Sequence, residues 1–106
     1  RAFSWFDSYD IFNENGDIFK IKHNLNTSPL NADVYLITRS INENEQLDIF
    51  HSKYLPQKFY NKHDKPIHVF GITKTKEEAL AIVEKIAQEC VAARGDANII
   101  KYLIGE

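Results

Sequence analysis

At 106 residues, with 43% hydrophobic and 26% charged side chains, the chain has the size and composition of one soluble globular domain spanning 1–106. Its formal net charge of -2 excludes a global basic field of the kind that announces nucleic acid or a membrane surface. One cysteine excludes an internal disulfide and a Cys-rich metal knuckle. No apolar run approaches the roughly 18 residues that span a bilayer. The N-terminus has no cationic stretch followed by an apolar one, so no signal peptide is expected, and the expected compartment is the reducing cytoplasm. A chain that starts at Arg1 and holds no methionine is expected to have been cut from a longer precursor.

Phe3–Phe12, rich in aromatics, predicts a strand, Asn13–Gly16 a turn, and Asp17–His23 the returning strand. A two-residue turn at Asn15-Gly16 would set Phe12 opposite Phe19. A three-residue loop with Gly16 as a left-handed bulge instead sets Phe12 opposite Ile18, Asp10 opposite Lys20 and Tyr9 opposite Ile21. The second register pairs opposite charges and gathers Tyr9, Ile11, Phe19 and Ile21 on one face, so it is preferred. Asn24–Asp33, polar and holding Pro29, predicts a connecting loop. Val34–Ile41 predicts a strand, Asn42–Gln46 a turn and Leu47–Tyr54 the strand that returns, giving a second hairpin. The Asn-Glu-Asn of Asn42–Asn44 echoes Asn13–Asn15, but the flanks do not align further, so chance in an Asn- and Ile-rich chain explains the echo better than duplication.

Leu55–Pro66 mixes proline, aromatics and lysines and predicts a long loop. Ile67–Thr73 is almost continuously apolar, as a strand covered on both faces must be, and Gly71 within it predicts a bulge or a close backbone approach. Thr75–Gly95 predicts a helix. Thr75 and Glu78 have the spacing of a capping box, Glu77 and Glu78 favour the helix N-terminus, and Gly95 provides the stop. Ala79, Leu80, Val83, Ile86, Ala87, Cys90 and Val91 recur at helical spacing as the apolar face. Asn98–Ile104 predicts a final strand. The tail then forms a strand–helix–strand unit, with a right-handed crossover if its strands are parallel. The expected fold is α+β, with an antiparallel sheet of about five or six strands, including two N-terminal hairpins, and one amphipathic helix on one face. The other face, only partly polar, leaves room for a homodimer or partner contact.

The chemistry-bearing residues form no catalytic motif. His23, His51, His63 and His68 show no metal-ligand spacing, so no metal site is expected. Glycine-rich phosphate loops and nucleophile motifs are absent from the sequence, and no cofactor is expected. Cys90 falls mid-helix on the apolar stripe, where a buried, inert thiol is expected. Arg94-Gly95-Asp96 has the form of an adhesion tripeptide, but Gly95 is already needed as a helix stop. Asn26-Thr27-Ser28 has the form of a glycosylation sequon, although Pro29 follows at once.

The most suggestive stretch runs from His51 to Lys76, where six lysines face Asp64 alone and Tyr54, Phe59 and Tyr60 are interleaved. Basic side chains beside exposed aromatics suit an acidic protein partner or a single-stranded nucleic acid. With no arginine in the stretch, any nucleic-acid contact would be to backbone rather than sequence. The first expectation is therefore a small non-enzymatic interaction or regulatory domain. It would bind a protein through the loop 55–66 and its surroundings, with Lys53, Lys58, Phe59, Tyr60, Lys62, His63 and Lys65 as the contact residues. The alternatives are non-sequence-specific binding of single-stranded nucleic acid by the same lysines, and a small histidine-dependent enzyme using His63 or His68.

Overall fold

The structure, a computed structural model, describes residues 3–5, 17–28, 31–40, 45–58 and 67–105. In chain order its elements are β1 (Phe3–Trp5), α1 (Asp17–Thr27), β2 (Tyr35–Arg39), β3 (Leu47–His51), α2 (Leu55–Lys58), β4 (Ile67–Thr73), α3 (Lys76–Arg94) and α4 (Ile99–Ile104), with a 3-10 turn at Ser52–Tyr54 before α2. The strands form one sheet in the order β1-β4-β2-β3. Strand β2 pairs antiparallel with both β3 and β4, with Tyr35 opposite both His51 and Thr73. Strand β1 lies parallel beside the first half of β4, with Phe3 opposite Ile67.

The α+β class stands, but the expected five or six strands do not: the described residues form four. Two of the expected strands are helices. Asp17–His23 belongs to α1, so the N-terminal hairpin and its pairing of Lys20 and Ile21 with Asp10 and Tyr9 are not formed. The reason is legible in the spacing, because Ile18, Ile21 and Leu25 recur at three and four residues, the helical period. Leu25 is fully buried and Ile21 packs beside it. The helix reaches into the expected loop and frays through its own side chains. The Asn26 amide donates to the Lys22 carbonyl and the Thr27 hydroxyl to the His23 carbonyl. Asn13–Gly16, Tyr9 and Ile11 lie outside the described residues.

The final strand is also a helix, α4. Its apolar run has no period that separates strand from helix, so its ends decide. The Asn98 side chain accepts from the Lys101 amide, and Gly105 closes the helix with φ 82°. A strand here would also have found no room beside β4, whose two edges are taken by β1 and β2. The expected strand–helix–strand tail is therefore strand–helix–helix.

Three expectations hold in detail. Ile67–Thr73 is an inner strand. Thr75 and Glu78 form the reciprocal capping box of α3, and Gly95 ends it in the left-handed conformation. A bulge lies at Gly71: Ile37 pairs with Gly71 but Thr38 with Val69, so β4 carries one extra residue, Phe70. The bulge resets the alternation of β4. Ile67, Val69 and Ile72 all reach one face, while Phe70 alone reaches the other. Burying a phenylalanine in this way contributes roughly 1.5–3 kcal/mol. Thr38, at the register shift, keeps a buried hydroxyl without a hydrogen-bond partner.

Helices cover both faces of the sheet. On one, Leu25 of α1 and Leu55 of α2 pack with Val34, Leu36, Phe50, Val69 and Ile72, and Phe3 and Trp5 adjoin them. On the other, Ala79, Ile82 and Val83 of α3 and Ile100, Leu103 and Ile104 of α4 pack with Ile37 and Phe70. The expectation of a single covering helix is thus corrected, and the open apolar face that motivated a homodimer is occupied. Ala79, Ile86 and Cys90 form the buried line of α3. Leu80 and Val91, expected on that face, lie about a third of a turn away and are half exposed. No helix among the described residues is long and apolar enough to cross a membrane.

Candidate functional site

The basic segment leaves β3 at the His51 end of the sheet, re-enters at Ile67 at the opposite, Arg39 end, and is carried back by β4 to Thr73. Tyr35, His51 and Thr73 form a row across β2, β3 and β4, so Lys53, just after β3, and Lys74 and Lys76, just after β4, belong to the same end. Lys53 is exposed, with its ammonium 5.2 Å from the centre of the Tyr54 ring, and Tyr54 is 45% exposed. Lys58 is the last residue of α2, one helical turn in what was expected to be loop. Phe59, Tyr60, Lys62, His63 and Lys65 lie outside the described residues.

The turn that presents Lys53 and Tyr54 is held by His51. Its Nδ1 accepts from the Lys53 amide at 3.0 Å and so caps the 3-10 turn. The ring proton must then sit on Nε2, which lies 2.8 Å from Asp33 Oδ1. Tyr35 meets the same ring edge-on, with centroids 5.2 Å apart. Asp33 adopts φ 50°, a left-handed conformation that aspartate tolerates better than most residues, where the chain swings into β2. The Ser52 amide donates to the Val34 carbonyl, and the Val34 amide to Ser52 Oγ. Both imidazole nitrogens are therefore engaged in holding the fold. His51 has no free lone pair to act as a general base in this arrangement.

The charge at this end is lower in space than in sequence. Asp33, Glu77 and Glu78 stand at the same strand ends as Lys53, Lys74 and Lys76. Glu77 and Glu78 directly follow Lys76, just past the end of the lysine-rich segment, whereas Asp33, which precedes β2, reaches this end only through the sheet. The Glu78 carboxylate accepts from the amides of Lys74 and Thr75, so part of that negative charge is fixed at the helix start.

The remaining candidates resolve into structure. His68, on β4, is half-buried and in register with Ser4 of β1, and His23 is exposed on α1. Cys90 is fully buried, with its thiol 3.4 Å from the Asp96 carbonyl. Arg94 and Asp96 grip each other by two contacts of 3.0 and 3.2 Å across Gly95. The hydrogen bonds from Arg94 and then from the Asn98 amide hold the Asp96 carboxyl below the usual carboxylate range, and the same pair raises the Arg94 guanidinium. The tripeptide therefore closes α3 with its charged ends turned on each other. The sequon at Asn26 lies in the last turn of α1, not in a loop. Among the described residues no group of three or more His, Cys, Asp or Glu is placed to hold a metal ion.

A scan against protein-family models and searches of curated proteins and of solved structures found no match to the chain.

Proposed function

We propose that the chain is a small interaction domain that binds an acidic protein segment at the Lys53–Tyr54 end of the sheet. The other contact residues of this reading are Lys58, Phe59, Tyr60, Lys62, His63 and Lys65, in the chain between that end and the start of β4. The observation that supports this reading is the exposed Tyr54 ring with the Lys53 ammonium beside it, presented on a turn fixed by His51. An aromatic face and a cation side by side suit a partner carrying carboxylates and apolar groups together. The interspersed Asp33, Glu77 and Glu78 disfavour a bare polyanion, which needs a continuous basic track. The protein partner is therefore preferred to single-stranded nucleic acid.

The test measures fluorescence anisotropy of a labelled peptide rich in glutamate and aromatic residues against a labelled oligonucleotide of equal charge. The peptide is expected to bind saturably, and combined replacement of Lys53, Lys58, Tyr60 and Lys62 by alanine is expected to abolish binding with the circular dichroism unchanged. Oligonucleotide binding that is tighter and falls steeply with salt would replace the protein reading with the nucleic-acid one. Absence of saturable binding by either probe would reject the surface.

A further inference from the structure

At the opposite end of the sheet, a cleft of about 460 Å³ opens between the β2–β3 hairpin and the start of α4. We infer that this cleft is a binding site for a small organic anion, a carboxylate- or phosphate-bearing molecule that also carries a hydrogen-bond donor. Arg39 and Ser40 form one wall, Glu45 and Gln46 the second, and Ile100 and Lys101 the third.

Hydrogen bonds join the described walls of the cleft. The Ser40 amide donates to the Gln46 carbonyl at 3.0 Å, closing the hairpin. The Gln46 side chain then bridges to the helix connection. Its Nε2 donates to the Ala97 carbonyl at 2.9 Å, and its Oε1 accepts from the amides of Ile99 and Ile100 at 2.6 and 3.3 Å. The Lys101 amide is taken by Asn98 Oδ1. The backbone groups that frame the site are thus satisfied internally and are not offered to a ligand.

What remains is the charged tips. Arg39, Lys101 and Glu45 make no ion pair or hydrogen bond through their side chains among the described residues. Two cationic residues and one carboxylate residue therefore line a concave space, with the half-buried Ile100 beside them, and the Asp96 carboxylate is near enough to act on Lys101 electrostatically. The volume suits a metabolite-sized molecule. A guanidinium matches a carboxylate or phosphate with two parallel hydrogen bonds, and an ammonium adds a second point charge. Glu45 contributes an acceptor that rewards a hydroxyl or ammonium on the same ligand and opposes a second negative charge. None of this depends on the Lys53–Tyr54 surface, which lies at the far strand ends.

The experiment titrates isotope-labelled protein with lactate and with glycerol 3-phosphate, which carry the two oxyanions with a hydroxyl, and with propionate, which lacks the donor. Amide resonances of residues 39–46 and 97–101 are followed. Saturable shifts confined to those residues are expected, and whichever hydroxylated probe binds more tightly identifies the oxyanion. Arg39→Gln should weaken binding by about tenfold, the loss of a charge-assisted contact. Lys101→Gln should weaken it severalfold, and Glu45→Gln should narrow the preference for lactate over propionate. Both cations are exposed, so the variants are expected to fold, and replacement of Lys85, exposed on α3 and outside the cleft lining, by alanine should leave binding as in the parent. Shifts that never saturate, that spread over surface lysines, or that persist unchanged in Arg39→Gln would overturn the site.

Discussion

The two ends of the sheet, the open Tyr35–His51–Thr73 end and the Arg39–Leu47 end where β2 turns back into β3, dispose of their polar groups differently. At the Tyr35–His51–Thr73 end, the ring of His51 is held at both nitrogens, and the Glu78 carboxylate receives the amides of Lys74 and Thr75. At the Arg39–Leu47 end, Gln46 and Asn98 satisfy the backbone, while the side chains of Arg39, Lys101 and Glu45 make no ion pair or hydrogen bond among the described residues. The end with the high linear density of lysines is electrostatically mixed. The end with no conspicuous motif holds a pair of available cations over a cavity. Charge written along a chain is a poor guide to charge arranged in space, because strands that neighbour each other in the sheet come from distant sequence.

The comparison can be broken most directly at Gln46. Replacing it by alanine leaves the Ala97 carbonyl and the Ile99 and Ile100 amides without their side-chain partner, which costs about 1–3 kcal/mol. The expected outcome is a drop in stability by chemical denaturation, with faster amide exchange at residues 99–101 than at β4. Uniform destabilisation with α4 still protected would show that Gln46 does not hold the cleft wall.

A smaller effect is expected at the other end. His51→Ala removes the cap of the 3-10 turn and the contact to Asp33, costing about 1 kcal/mol. Tyr54 fluorescence cannot be isolated in a chain with five tyrosines, so exchange of the Lys53 amide is the local readout, and it should rise. A protected Lys53 amide in the variant would mean that the turn is held by something other than the imidazole.

The smallest effect is a pH dependence behind the cleft, where Arg94 and Asp96 close α3. The folded Asp96 carboxyl titrates below its unfolded value, first because of the Arg94 hydrogen bond and then because of the Asn98 amide. Its contribution is therefore fully present above the unfolded carboxylate value of about 3.9 and is lost as pH falls through the lower folded value. Arg94, raised from an already high value, stays charged throughout and adds no slope. Melting curves of the parent and of Asp96→Asn should converge as pH falls from about 6 to about 3. A gap that persists unchanged at the acid end would remove Asp96 from the acid response.

Much of the fold was legible where one local rule acted without competition. The capping box at Thr75 and Glu78, the stop at Gly95, the buried Cys90, the inner strand Ile67–Thr73 and the bulge at Gly71 all follow from residue type and spacing. The misreadings share a cause. Asp17–His23 and Asn98–Ile104 are short apolar segments that satisfy a strand and a helix pattern equally over a few residues. Continuation decided each: Leu25 extended the helical spacing of the first, and Asn98 with Gly105 capped the second. The candidate surface was legible only in part. Lys53 and Tyr54 stand exposed as a lysine–aromatic pair, but the carboxylates that share their end come from other strands and helices.

The sequence by itself determined where α3 begins and ends, which strand is buried on both faces, and that Cys90 belongs to the core. These are consequences of bonds and burial reaching only a few residues along the chain. Tertiary structure alone decided that both sheet faces carry helices, that β1 takes the edge of β4 in parallel, and that Arg39 and Lys101 line one cleft. Those outcomes depend on which sheet edges remain open and which apolar faces find cover, and packing settles both between residues that lie far apart in sequence.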